Sequence, residues 1–275
     1  MTKYSLAQLT VLHASPPELV RIAAVAGYDY VGLRLLEVTG GDSWPLVSDP
    51  LLLRQTRDAM SSTGVGVLDV ELARLTPEFD AASLRPTLDV AGELGVRHIL
   101  TQAHDDDWAR LVHNFGNLCD LLASYGLTAD LEFLTWTKMR GVNEAILLLR
   151  SANRPNAGLT VDTLHFYRSG CRIEDLSTVP PELLHFVQIS DAPAEGPSSV
   201  EGLIFAARED RLDPGAGELD IAAILRVLPE DVAVAVEIPN SRLAGEFTDE
   251  ERARRALVAT KTLVEKTKAQ RAALI

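Results

Sequence analysis

The chain has 275 residues, of which 47% are hydrophobic and 24% are charged, a composition typical of a globular protein with a large core. Its formal net charge of -13 disfavours contact with phosphate backbones and anionic membrane surfaces, so we expect neither nucleic acid nor membrane as a partner. Cys119 and Cys171 lack the spacing of disulfide frameworks or zinc motifs. The absence of an apolar leader or a long apolar run predicts a cytoplasmic protein.

A repeating unit follows the first strand, in which a helix ends at a glycine and an aliphatic strand begins directly afterwards. Gly27, Gly64, Gly95 and Gly126 are the repeated glycines. Glycine accepts the left-handed conformation that commonly ends a helix, so this spacing is typical of βα units. In chain order the pattern predicts strands near 5–12, 29–35, 66–71, 97–102, 128–133, 158–162, 184–190 and 232–237.

Helical segments with apolar residues three and four positions apart separate these strands. Pro16 and Pro17 follow a candidate cap, Ser15, and residues 249–275 read as an amphipathic closing helix. Eight strands alternating with helices predict an α/β fold, a single (β/α)8 TIM barrel formed as one domain by residues 1–275. A doubly wound open sheet is disfavoured because no glycine-rich phosphate loop follows the first strand. A barrel places its active site at the carboxyl ends of the strands.

Oxygen-bearing side chains end four late strands of this predicted barrel: Glu132, Asp162, Gln188 and Glu237. Each of them taken singly also fits a solvated strand end, but four at corresponding positions favour a shared role. Three carboxylates at one mouth repel one another unless a cation neutralises them. The pattern therefore predicts one divalent ion. Hard oxygen ligands favour Mn²⁺ or Mg²⁺, with Co²⁺ or Zn²⁺ as alternatives.

Such an ion, bound to a carbonyl and a neighbouring hydroxyl, acidifies the C–H between them, and Glu132 and Glu237 are placed to pass the proton on and off carbon. His165, three residues after Asp162, is a candidate catalytic and substrate-binding residue, although a cap or packing role fits it too. Arg34, Glu71 and His104 also end strands.

Three further side chains are candidates for contacting the substrate. His104 follows the fourth strand, in "QAHDDDW", where the three aspartates are read as caps of the next helix. Trp136 offers an aromatic wall, although packing also explains a tryptophan. Arg211, in the long loop "REDRLDPGAGELD", offers a planar fork to a substrate oxygen or carboxylate and is favoured over Arg208.

Taken in order, "LEF", "VDTLH", "FVQISDAP", "RLDPGAGELD" and "VEIP" resemble the xylose-isomerase-like TIM-barrel superfamily of sugar phosphate isomerases and epimerases, over nearly the whole chain. The resemblance implies metal ligation by Glu132, Asp162, Gln188 and Glu237. It also implies substrate contact by His165 and Arg211. Many epimerases of this kind carry histidine where this chain has Gln188, and "FVQISDAP" is similar to the 3-dehydroshikimate dehydratase branch.

Two reaction classes therefore stay open. The first is a metal-dependent isomerase or epimerase that abstracts a proton next to a carbonyl of a sugar or hydroxy-ketone, and the alternative is a metal-dependent dehydratase (a lyase). An endonuclease IV-like repair enzyme is disfavoured by six histidines in all and the negative charge, and a barrel that only binds a ligand is disfavoured by the complete ligand set. The exact substrate, its phosphorylation, the native metal and any homo-oligomer stay open.

Overall fold

Eight parallel strands close into one barrel in the computed structural model, which describes residues 2–36 and 43–273. Each strand pairs with its neighbours in chain order, and the first pairs with the last. The prediction of a (β/α)8 barrel is confirmed. The strands are β1 (Tyr4–Ala7), β2 (Tyr30–Arg34), β3 (Gly66–Leu75), β4 (His98–Ala103), β5 (Thr128–Glu132), β6 (Ala157–Asp162), β7 (Phe186–Ile189) and β8 (Ala233–Val236).

Helices surround the barrel and cover the aliphatic outer face of its strands. None of those in the described ranges is long and apolar enough to cross a membrane. The helices are α1 (Pro16–Ala26), α2 (Pro50–Thr63), α3 (Arg85–Glu93), α4 (Trp108–Ala123), α5 (Val142–Ala152), α6 (Thr163–Arg168), α7 (Ile173–Leu176), α8 (Val200–Glu209), α9 (Ile221–Val227), α10 (Ser241–Glu246) and α11 (Asp249–Ala272).

The predicted helix ends agree with the structure, and the predicted closing helix is α11, although predicted residues 274–275 lie outside the described ranges. Gly27 and Gly64 end α1 and α2 in the left-handed conformation, with φ of 95° and 77°. Ser15 forms a capping box with Glu18 at the start of α1. The closing helix α11 begins after Thr248, whose hydroxyl accepts a hydrogen bond from the Glu251 backbone.

The first strand is shorter than predicted, because it ends at Ala7 and the next four residues form a 3-10 turn. Gln8 is fully buried there; its amide donates to the Ala14 carbonyl at 3.0 Å and accepts from the Arg34 backbone N–H at 2.7 Å. These bonds satisfy a polar group that a continuing buried strand would leave without partners. The third strand is longer than predicted and continues to Leu75.

Alternation along each strand decides which side chains enter the barrel. In β5, Ala129 and Leu131 belong to the main core between sheet and helices, so Asp130 and Glu132 point inwards. A separate apolar cluster that includes Leu100 and Phe186 helps fill the barrel. One strand thus sends two acidic side chains into the interior at successive levels.

A polar cluster at the amino-terminal end of the barrel connects three strands. Asp130 is buried and accepts a hydrogen bond from the Thr128 hydroxyl. The Nδ1 atoms of His185 and His98 lie 2.6 Å and 3.3 Å from its two carboxylate oxygens. Gly158 of β6 passes directly beside this cluster, and a methyl group at that position would overlap both Asp130 and His185. The cluster therefore requires glycine at position 158.

We expect Gly158→Ala to lower the free energy of unfolding by about 1–3 kcal/mol or more, because the methyl group displaces a buried carboxylate from its partners. Gly92→Ala is the matched control, since a Cβ at this helical position meets nothing within 4 Å. It should stabilise by about 0.5–1 kcal/mol. Urea denaturation measures both, and equal effects of the two substitutions would contradict the steric account.

Candidate active site

A pocket opens at the carboxyl ends of the strands. Six of the predicted site residues line it, and Asp162 and Gln188 are buried beside them. The polar residues of the lining are Arg34, Glu71, Arg74, Gln102, His104, Glu132, Trp136, His165, Arg208, Arg211 and Glu237. The structure therefore brings the predicted residues of several strands together at one mouth.

An arginine lies between two of the predicted metal ligands. Arg211 Nη1 is 2.6 Å from Asp162 Oδ2 and 3.1 Å from Glu237 Oε2. All three side chains are buried, and their exposed fractions are 3%, 0% and 5%. Arg211 was predicted to contact substrate from a loop. In the structure Arg211 lines the pocket and its guanidinium also pairs with acids at the ends of β6 and β8, a pairing that the sequence alone did not indicate.

Glu132, Asp162 and His165 form a second grouping in the same pocket, in which one donor atom from each lies within 4.8 Å of the others. Asp162 also caps α6, because its Oδ1 accepts a hydrogen bond from the His165 backbone at 3.0 Å. That cap fixes His165 in the first turn of the helix. The ring of His165 meets Trp136 edge to face, with centroids 5.1 Å apart.

The donor atoms of this site suit a divalent cation. Gln188 Oε1 and His165 Nδ1 are buried without a hydrogen-bond partner within the described ranges, so both are available to bind a ligand. Glu132, Asp162 and Glu237 carry three negative charges when ionised, and Arg211 offsets one of them. A divalent cation balances the remaining two.

Burial and mutual repulsion decide the protonation of these acids. Burial, with the charge of Asp162, raises the pKa of Glu132 to about 8. Burial raises the pKa of Glu237 well above its usual range, although Arg211 opposes the shift. Burial acts on Asp162 as well, but Arg211 and the His165 side chain hold its pKa below the usual value. Burial lowers the pKa of His165 to about 4, so its imidazole is neutral near pH 7.

Gln102 is a site residue that sequence reasoning missed. Its amide nitrogen donates to Glu132 Oε2, and its amide oxygen is 3.3 Å from His104 Nε2. It lies in β4, directly opposite Glu132 in the strand pairing. The available signal was strand periodicity. Gln102 lies two residues after Leu100, which faces the barrel interior, so Gln102 faces the same side. Gln102 therefore connects the acidic centre to the outer wall of the pocket.

The outer wall carries basic groups. Arg74 Nη2 lies 3.5 Å from His104 Nε2, and Arg208 lines the same pocket. Burial and the charges of these two arginines lower the pKa of His104 to about 4. The sequence analysis favoured Arg211 over Arg208 as a substrate contact. In the structure Arg211 is paired with acids, whereas Arg208 lines the pocket without an ion pair to a described acid.

Asp191 lies outside the pocket and organises the loop that carries Arg211. Its carboxylate accepts backbone hydrogen bonds from Gly215 at 2.8 Å and from Gly217 and Leu219 at 3.1 Å. Its backbone pairs with Leu212 in both directions at 2.9 Å. Asp191, the aspartate of "FVQISDAP", lies just after β7. It thus fixes the position of Arg211 in the long loop that follows.

The chain belongs to the family described as Xylose isomerase-like TIM barrel, whose pattern matches residues 20–263. It is 30% identical over 115 residues to inosose isomerase of Bacillus subtilis (strain 168), covering 41% of this chain and 39% of that protein. It is 26% identical over 229 residues to 3-dehydroshikimate dehydratase of Pseudomonas putida (strain KT2440), covering 78% of this chain and 34% of that protein. The chain thus matches less than half the length of these curated relatives.

A solved structure of the IolI protein with a bound zinc atom has the same fold. Its TM-score is 0.80 at 22% identity, covering 97% of this chain and 99% of that chain. At this identity the likeness establishes the barrel alone.

We expect Asp191→Asn to loosen the loop of Arg211. Each carboxylate oxygen of Asp191 accepts from two backbone N–H groups, so an amide NH₂ in place of either oxygen sets donor against donor. The loss should be about 2 kcal/mol of unfolding free energy. Hydrogen exchange should accelerate at Gly215 and Gly217. Asp210→Asn, at an exposed position in the same loop, is the control. Unchanged exchange in Asp191→Asn would contradict the assigned role.

Proposed function

We propose that this protein is a divalent-metal-dependent isomerase or epimerase that removes a proton next to a carbonyl of a sugar or hydroxy-ketone. The observation that carries the proposal is the buried group formed by Glu132, Asp162 and Glu237 with the unpartnered Gln188 Oε1. These oxygens come from the ends of four successive strands and suit one Mn²⁺ or Mg²⁺ ion. Kinship with inosose isomerase supports the reaction class.

The proposed ligands are Glu132, Asp162, Gln188 and Glu237, and a ring nitrogen of His165 lies close enough to Glu132 and Asp162 to replace one of them. A divalent ion held there supplies Lewis-acid polarisation of a carbonyl, which acidifies the neighbouring C–H.

The chain's own residues would then handle the proton. Glu132 is the proposed base, since its buried carboxylate lies in the pocket at the end of β5, beside the place proposed for the ion. Gln102 orients one of its oxygens. Glu237 is the proposed partner that exchanges a proton on the other side of the substrate. His165 and Trp136 line the same pocket and are the proposed substrate-binding groups.

A dehydratase of the 3-dehydroshikimate type is the second candidate, and the basic outer wall favours it. Arg74, Arg208 and His104 suit the carboxylate that 3-dehydroshikimate carries, whereas inosose is uncharged. Both reactions begin with loss of the same kind of proton. They differ in whether carbon is reprotonated or a β-hydroxyl leaves.

One experiment separates the two candidates. Metal-loaded protein is incubated in D₂O with a panel of keto-sugars, inosose and 3-dehydroshikimate. Deuterium incorporation without loss of water supports isomerisation, and a new conjugated absorbance supports dehydration. No exchange and no absorbance change with any member of the panel would contradict both.

We expect Glu237→Gln to lower turnover by about 10²–10⁴-fold while much of the bound metal is kept, because the amide retains an oxygen donor but cannot accept the carbon-bound proton. Metal content and rate are measured on the same sample. Glu209→Gln, at an exposed position, is the control. A near-parental rate at full metal occupancy would assign Glu237 to ligation alone.

Gln188→His should preserve the fold and move metal preference towards zinc or cobalt, because an imidazole nitrogen is a softer donor than an amide oxygen. Competition between Mn²⁺ and Zn²⁺ measures the preference. An unchanged order of affinities would place residue 188 outside the ligand set.

A further inference from the structure

A second group of potential ligands lies at the opposite end of the barrel. His98, Asp130 and His185, here called the lower cluster, each offer one donor atom, and these atoms lie within 4.8 Å of one another. His98 begins β4 and His185 directly precedes β7. Asp130 lies in β5, two residues before Glu132 on the same inward face. The cluster is thus separate in position and composition from the pocket at the carboxyl ends.

The donor set of the lower cluster differs from that of the pocket. It consists of two imidazole nitrogens and a carboxylate oxygen, which is the mixture that zinc prefers. The Thr128 hydroxyl lies 2.8 Å from His98 Nδ1 and adds an oxygen at the same place. Ligand atoms around tetrahedral zinc lie about 3.3 Å apart, so the observed separations of 2.6 Å and 3.3 Å need shifts of less than about 1 Å.

Solvent access and charge are both compatible with an ion. The side chains of His98 and His185 are 13% and 23% exposed, whereas Asp130 is fully buried between them. A second buried acid, Asp69 of β3, interacts electrostatically with Asp130. Burial and the neighbouring acids raise the pKa of Asp69 well above its usual range, so Asp130 supplies the negative charge of the cluster and would offset one charge of a divalent cation. On binding, the ion takes the place of any proton that an imidazole Nδ1 directs at Asp130, and that proton leaves to solvent.

We propose that the lower cluster is a second metal site, which binds zinc or a similar nitrogen-preferring divalent ion through His98, His185 and Asp130. The ion would join β4, β5 and the start of β7 at the end of the barrel where residues serve stability rather than catalysis. The site is structural and does not depend on the reaction proposed for the pocket.

The test adds zinc alone to metal-free protein. We expect the parent to bind about one more zinc ion per chain than His98→Gln or His185→Gln, by calorimetric titration. His113→Gln, which alters an exposed histidine of α4, should behave like the parent. Zinc should also raise the Tm of the parent more than that of His98→Gln. The His98 variant keeps the contact between Asp130 and His185, which guards against simple misfolding.

Anomalous diffraction at the zinc edge then locates the ions. A peak bounded by His98, Asp130 and His185 at stoichiometric zinc is the expected result. Zinc confined to the pocket, with unchanged stoichiometry in both variants, would overturn the proposal and leave the cluster as a hydrogen-bonded ion pair. Zinc at the lower cluster and none in the pocket would support this site, and a parallel Mn²⁺ titration that leaves the pocket empty would separately contradict the ligand set of the proposed function.

Discussion

The site depends on a buried arginine placed between acids. A closed barrel directs the inward side chains of its strand ends to one mouth, and here three of them are carboxylates. Such a group is unfavourable in a low-dielectric interior unless cations offset it. Arg211 offers one positive charge to Asp162 and Glu237, and the loop that presents it is fixed by hydrogen bonds to Asp191. The position of one guanidinium therefore depends on an aspartate outside the pocket.

Arg211 offsets only one of the negative charges that the three acids carry when ionised, so the site still favours a cation. Gln102 and Arg211 favour the ionised form of Glu132, but burial and the charge of Asp162 outweigh them and raise its pKa. Gln188, opposite Asp162 in the strand pairing, adds a neutral amide oxygen that is buried without a hydrogen-bond partner within the described ranges. Glu132 and Glu237 thus belong to the proposed ligand set and are also the proposed proton-transfer groups.

Strand β5 serves both ends of the barrel, because alternation turns Asp130 and Glu132 to the same inward side. Around Glu132 the neighbouring groups are mainly oxygen donors, and around Asp130 they are two imidazoles. The two proposed ions therefore differ in kind, a hard cation at the carboxyl ends and a softer one at the amino ends. The outer wall of the pocket adds basic groups that would select for charge on the substrate.

The sequence by itself determined the barrel and the acids at its mouth. Aliphatic runs, helix-ending glycines and the polar residue that ends each late strand are local signals, and Glu132 and Asp162 follow from them. The tertiary structure decided which groups meet. Arg211 lies 49 positions from Asp162, Gln102 meets Glu132 across neighbouring strands, and His185 lies 55 positions from Asp130. Such pairings depend on strand register and loop path, which arise from closure of the whole barrel and leave no periodic trace in the chain.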